Sequence, residues 1–550
     1  MTAAEVADRY LADLAATDGD AAALTGRAPS FLLTQTTPDA FDSRAEAARR
    51  AHAALASVVP SDTADRTLAA ALAERTASEI DLFDSGFTPR LLAPLATPVH
   101  LIRETFDDLP SATAGDWDRI GQALREVPAA LAGYGQTLRR AADRGQVAAP
   151  RQILGVAAQC RAWIDPAGDD FYPQLVGRAE VPEVLRRGLS RNAAAASTAT
   201  VAFADMLTTY LLPRACGPDA VGRDLYTVTA SAFLGSAVDL DDTYAYGWAE
   251  LHRIRREIAS VAATISPDGV PAAVAALDGD PDFQLCGSDA LAGWLHGRMI
   301  EIADAVDGVH FDLPPRARLP ECRIATATSG VMYYTPPDPL LTRPGRVFWT
   351  RPPGDAVTRT WREVTTVHHE GIPGHHLQTV TALTAPGLHP WQRAMCHVHG
   401  YVEGWAHHVE DYADEIGLLR GPGERLGMLF GQAWRAARIV IDAGLHLDLP
   451  IPADNGVTTA TRWTPEVGVR FLVDAAGVDE RSARFEVDRY LGWPAQALAF
   501  RIGARLWAET VAAAKRRWGS DFDARRFHTE TLRRGPMGLG PMHDLVLGNN

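Results

Sequence analysis

Apolar positions recur at separations of three and four through most of the first 270 residues, among alanine, leucine, glutamate and arginine, and this period predicts helices. Runs over 42–80, 84–108, 117–145, 149–163, 181–212, 226–235 and 242–268 fit it, separated by Pro and Gly clusters, with Pro128 expected to break the third. Asp239, Asp241 and Asp242 stand where they would cap the last of these. Magnesium binding is the competing use of three carboxylates. The pattern changes between 318 and 352, where short β-prone runs at 323–327, 331–334 and 347–349 are separated by Pro-Pro and Gly turns. Helical periodicity returns over 358–382, with a break at Pro373, and then over 388–416, 422–444, 466–475, 479–490 and 493–516. Pro450, Pro452 and Pro465 mark 449–465 as a surface loop approaching the cleft. No 20–50-residue repeat is present, which disfavours a solenoid. The expected architecture is mostly α, in two lobes about a central cleft. The N-terminal helical lobe is placed at 1–225, and a second lobe at 226–550 carries the small sheet.

Composition narrows the class. The 550 residues are 47% hydrophobic, enough for one or more full cores. No run approaches the roughly 20 apolar residues of a membrane helix, and the N-terminal segment has acidic residues and no apolar stretch of the secretory kind. The expectation is therefore a cytoplasmic protein without a membrane partner. Cys160, Cys216, Cys286, Cys322 and Cys396 have no paired spacing, so neither a disulfide framework nor a thiolate metal site is indicated. A formal net charge of −15 disfavours nucleic acid as a partner, because the phosphate backbone is bound by positive charge.

The densest chemistry lies at His368-His369-Glu370-Gly371-Ile372-Pro373-Gly374-His375-His376. Imidazole and carboxylate suit zinc and related divalent ions, and three protein ligands plus a water make the usual catalytic arrangement. The spacing departs from His-Glu-x-x-His, whose histidines share one helix face. Residues 369 and 375 are six apart, roughly 240° around an ideal helix. A kink at Pro373 and Gly374 would bring His375 back. The pairs 368/375 and 369/376 face the same way but stand two turns apart, about 10 Å, too far for one ion without a break. The reading adopted is a broken helix carrying His369 and His375; a histidine-rich surface segment or a satisfied buried cluster is the plain alternative.

A second cluster, Glu403-Gly404-Trp405-Ala406-His407-His408, lies on a helical stretch at 398–418. Glu403, His407 and Glu410 share a stripe, so that Glu403 would complete the ligand set while His407 and Glu410 orient it. Glu370 then remains beside the ion as a general base. Arg489 and Tyr490 are candidates to grip a substrate carboxylate and to donate to an oxyanion. Structural pairing and core packing are their other uses. His407, Tyr333 and Tyr334 are further candidate donors to an oxyanion.

The runs HHEGIPGHHLQ, YVEGWAHHVEDYADEIG and VDRYLGWPAQALAFRIG together resemble the bacterial family DUF885, from about residue 20 to the end. The resemblance implies a gluzincin-like metallopeptidase, with His369, His375 and Glu403 on the metal and Glu370 as base. Two positions depart from it. Phe500 and Arg501 stand where the family commonly has tyrosine and lysine, and Thr350 stands in place of an asparagine. The expected activity is zinc-dependent hydrolysis of a short peptide or small amide-like substrate, with Mn²⁺ or Co²⁺ also compatible with these donors. A metal enzyme acting on a specialised nonpeptide metabolite is the alternative. A noncatalytic scaffold is disfavoured, since it has no use for a buried, unliganded Glu370.

Overall fold

Trp117, Ile120, Leu124, Val127, Leu131, Tyr134 and Leu138 recur every three or four residues, and all are buried along one 30-residue helix, Ala114–Asp143. The helices Pro150–Trp163 and Glu183–Met206 add Ile153, Val156, Leu189 and Phe203 to the same core. Each such side chain contributes about 1.5–3 kcal/mol of burial free energy. The long helix continues through Pro128, against expectation. One missing amide bond is outweighed there by the buried neighbours Val127 and Leu131. The helix expected at 84–108 is instead a short 3₁₀ turn, Thr88–Arg90, followed by the helix Pro98–Asp108. Gly86, at φ 74°, and the prolines at 89, 94 and 98 interrupt it.

The computed structural model describes residues 1–26, 30–165, 169–325, 332–338, 341–350 and 357–548. The helices above belong to one unit, Met1–Ser61 and Thr76–Val228 with Phe485–Pro494; a second unit comprises Asp62–Arg75, Thr229–Arg484 and Ala495–Asn550. A boundary near 225 therefore does not account for two short segments that join the other unit.

The second unit holds the histidine-rich segment. Its helix α1 (Leu240–Ile265) begins at Asp239, whose carboxylate accepts from the amides of Asp241 and Asp242 at 2.9 and 2.8 Å, the capping use of that acidic group. Strands β1 (Glu321–Ala325), β2 (Tyr333–Thr335) and β3 (Arg346–Thr350) form a sheet in the order β1-β3-β2. β1 runs parallel to β3, with Glu321 opposite Arg346, and β2 runs antiparallel to it, with Tyr333 opposite Phe348. The expected strand positions Thr326, Ala327 and Val331, and the Thr350 side chain, lie outside what is described. Val347 and Trp349 alternate inward on β3. The Trp349 indole donates to Glu363 at 3.0 Å and ties the sheet to helix α2 (Thr360–Thr366).

Four more helices complete the frame: α3 (His375–Thr384), α4 (His399–Glu415), α5 (Gly421–Leu447) and α6 (Leu498–Trp518). α4 and α6 cross with their backbones touching. A Cβ at Gly404 would lie 2.6 Å from the Gly503 carbonyl carbon, and one at Gly503 would lie 2.8 Å from the Gly400 oxygen. Residues 449–464, expected as a surface loop, are bonded to the body of the unit. Tyr244 donates to the Pro450 carbonyl at 2.9 Å, and Trp463 donates to Tyr244 at 3.0 Å while stacking on Trp248. Buried Asn455 holds the turn through its own amide, accepting from Val457 and Thr458 at 2.8 Å each. These bonds pin the loop to α1. Among the described residues no single helix is long and apolar enough to cross a membrane.

Candidate metal centre

Helix α2 widens into one i→i+5 turn, Val367–Gly371, which carries His368, His369 and Glu370. Such turns commonly occur where a helix must re-aim side chains at a site. Ile372 then becomes extended, and α3 starts afresh at His375. Gly374 is required by the closeness of this fold-back: a Cβ there would sit 1.9 Å from the His369 carbonyl oxygen and 2.3 Å from that of His368. The break lets histidines six residues apart face one another, with ring centroids 4.7 Å apart and planes at 79°. Trp405 on α4 clasps the break by donating to the Pro373 carbonyl at 2.9 Å.

Glu403, one turn into α4, meets both rings. Its Oε2 lies 3.2 Å from His369 Nε2 and 3.6 Å from His375 Nε2. Ligand atoms of the three residues all lie within 4.8 Å of one another, so His369, His375 and Glu403 could hold a metal ion. The donor set fits a divalent ion: two imidazole nitrogens and one carboxylate, in the number and type of a three-ligand catalytic site.

A buried carboxylate stands behind the ligands. Glu410, on the same α4 face, meets His369 Nδ1 at 2.8 Å, the Thr365 hydroxyl at 2.9 Å, Arg435 at 3.1 Å and His407 Nδ1 at 3.3 Å. Its bond to Nδ1 leaves His369 Nε2 for the ion, a usual outer-shell device. Burial opposes ionisation here, yet for both acids other effects win. Hydrogen bonds to His369 and His375 hold Glu403 well below the ordinary carboxylate range, as the charges of Arg435 and His407 do for Glu410. Burial likewise disfavours a charged His369, but its bonds to Glu403 and Glu410 raise it to about 9. The pocket is thus strongly disposed to accept positive charge.

Glu370 differs from both acids. It is buried, makes no hydrogen bond among the described residues, and has its pKa raised chiefly by burial. The neighbouring histidines sit elsewhere. His376 contacts the Ala317 carbonyl through Nε2 at 2.7 Å and the Tyr334 hydroxyl through Nδ1 at 3.0 Å. His368 is fully buried, neither ring nitrogen has a hydrogen-bond partner among the described residues, and burial lowers it to about 3. Neither joins the cluster.

His407 lies behind Glu410 rather than among the ligand atoms. Burial takes it down to about 4, and Arg501 donates to its Nε2 at 3.2 Å. Arg501 also meets Asp411 at 2.8 Å and pairs with Glu250. Phe500 stacks on His369 with centroids 6.3 Å apart. Arg489 and Tyr490 belong to the first unit and are outside the cluster. Both are buried and bonded to Glu486, at 2.8 and 2.7 Å. Tyr334 is engaged by His376, and Tyr333, 44% exposed, stacks on Phe348. Thr365 and Arg435 went unnoticed in the sequence. Thr365 stands four residues before His369, a helical spacing that offered a signal; Arg435, on a distant helix, offered none.

Comparison with known proteins adds a family and a fold. A family model described as a bacterial protein of unknown function, DUF885, matches residues 21–546. No curated protein matches the chain. Two solved structures are similar over the whole of both chains: a putative lipoprotein from Colwellia psychrerythraea, at TM-score 0.82 and 19% identity, and a putative lipoprotein of unknown function from Shewanella oneidensis, at 0.72 and 15%. At these identities the likeness establishes the fold. It also corrects the expectation of a cytoplasmic protein with no membrane partner, since both proteins sharing the fold are described as lipoproteins. A lipid anchor needs no apolar helix in the folded body, so the lack of one had no bearing on that question.

Proposed function

Because the chain belongs to DUF885, a bacterial family of unknown function, and joins a metal-binding cluster to an unbonded buried carboxylate, we propose that it is a metal-dependent hydrolase of a peptide or small peptide-like amide. One observation carries the reading: the convergence of His369, His375 and Glu403 beside Glu370. Zn²⁺ is the proposed ion, and Mn²⁺ and Co²⁺ share its donor preferences. When bound, the ion supplies Lewis-acid polarisation of a water and of the substrate carbonyl.

The chain's own groups do the rest. Glu370, buried beside the cluster and held by no hydrogen bond among the described residues, takes the proton of the attacking water on a carboxylate oxygen and returns it to the leaving nitrogen. Glu410 keeps the His369 ring oriented, and His407 with Arg501 steadies Glu410. We assign His407 this positioning role. The bonds of Arg489 and Tyr490 to Glu486 favour a structural role for that pair.

Glu370→Gln should keep metal content near that of the unaltered protein while lowering turnover by about 10²–10⁴-fold. Incubation with a short-peptide library and with a metabolite extract, read by mass spectrometry, provides the assay. Equal turnover by the metal-loaded variant would remove Glu370 as the base. Selective loss of a nonpeptide metabolite, with peptides untouched, would replace the peptide reading by one of specialised small-molecule chemistry.

A further inference from the structure

A cavity of about 630 Å³ lies wholly within the first unit, inside the roughly 300–1,000 Å³ range of small-molecule pockets. None of His369, His375, Glu403 and Glu370 lines it. Phe87, Leu91, Val147, Leu491 and Pro494 are among its lining residues. Arg90 reaches the same space from the turn Thr88–Arg90. It is half-buried, and its guanidinium has no hydrogen bond or ion pair among the described residues. Burial lowers its pKa, with no carboxylate opposing the shift.

The other charged groups of the lining are committed. Asp219 accepts from Arg151 at 2.9 Å. Arg214 is exposed, lies 3.8 Å over the Tyr210 ring and donates to the Tyr210 carbonyl at 2.8 Å. The walls are also fixed. Tyr134 donates to the Leu91 carbonyl, Trp493 to that of Leu95 at 2.9 Å, and Gln152 to that of Asp488 at 2.9 Å. The lining therefore holds Arg90, a partly buried cation with no anionic partner among the described residues, together with apolar side chains.

We propose that this cavity binds a small organic acid, its carboxylate on Arg90 in two-point fashion and its apolar body against Phe87, Val147 and Leu491. Partial burial strips water from the guanidinium without giving it an anion, which is costly. A carboxylate supplies the missing partner with matching geometry. Neutral ligands of the same shape gain only the apolar contact.

The test compares 4-phenylbutyrate with the neutral 4-phenylbutan-1-ol on the full chain by calorimetry. Cys216, exposed and part of the lining, gives an independent readout through iodoacetamide labelling, and exposed Cys286, in the other unit, serves as internal control. The acid should bind at least about tenfold more tightly than the alcohol. It should slow labelling of Cys216 and leave Cys286 unchanged. Arg90→Gln should lose that preference while melting at the same temperature or higher, because no native partner is removed. Absence of acid binding at millimolar concentration, equal binding of acid and alcohol, or full affinity in Arg90→Gln would overturn the proposal. So would a lowered melting temperature in Arg90→Gln, which would make the guanidinium a structural group.

Discussion

Replacing Gly404 with alanine adds one methyl group where helices α4 and α6 touch, next to the proposed ligand Glu403. The new Cβ would lie 2.6 Å from the Gly503 carbonyl carbon, 2.7 Å from its Cα and 3.0 Å from its oxygen. Carbon atoms rest at about 3.5–4.0 Å, so the helices must separate by roughly 1 Å. Backbone cannot swing aside as a side-chain tip can. Overpacking of this kind costs about 1–3 kcal/mol. Moving Glu403 by even a few tenths of an ångström also spoils a ligand set that tolerates about 0.2 Å, so metal affinity should fall along with stability. Gly293→Ala makes the same chemical change on an exposed face of the helix Ser288–Val306, where a Cβ would meet nothing within 4 Å. That substitution should stabilise by about 0.5–1 kcal/mol through helix propensity. Urea unfolding followed by circular dichroism, with the ion titrated separately by calorimetry, reads both quantities. A Gly404→Ala midpoint at or above that of Gly293→Ala would refute the close crossing as the device that sets Glu403.

Two further outcomes follow from the groups around the centre. Glu410→Ala removes the acceptor on His369 Nδ1 and should weaken metal binding by about 10–100-fold, read by competition with a chelator; unchanged affinity would deny Glu410 its orienting role. Burial pushes Glu250 upward, but its bonds to Arg253 and Arg501 prevail and hold it down to about 2. A depressed carboxylate gives stability that is present above its unfolded pKa, near 4.5, and lost as pH falls toward 2. The melting-temperature advantage over Glu250→Gln should therefore shrink between pH 5 and 2, and an advantage constant over that window would contradict the ion pairing.

The site was legible where its chemistry is local. His369, Glu370 and His375 crowd one short segment, and Pro373 with Gly374 announces the break that brings the two histidines together. Glu403 and Glu410 were readable as one stripe because seven residues make nearly two helical turns. Arg435 was not, because its contact with Glu410 arises from the meeting of two helices distant in sequence. Arg489 and Tyr490 stood out by residue type, and their contacts with Glu486, three and four residues earlier, follow from helical spacing. At 84–108 an apolar period overrode three prolines, and at Pro128 a proline was given too much weight. The order β1-β3-β2 could not be read from strands of three to five residues, since pairing there depends on contacts beyond each run. Hydropathy reports helices that span a bilayer and says nothing of covalent lipid, so the expectation of a cytoplasmic protein went further than the pattern allowed.

The central claim, that His369, His375 and Glu403 hold a divalent ion, is tested most directly by crystallography with anomalous scattering on protein purified without added metal, together with elemental analysis of the same preparation. The account predicts one transition-metal ion per chain, in contact with Nε2 of both histidines and the Glu403 carboxylate, and its loss in His375→Ala. Well-ordered rings and carboxylate hydrogen-bonded only to one another, with no anomalous peak and no metal in the analysis, would contradict it.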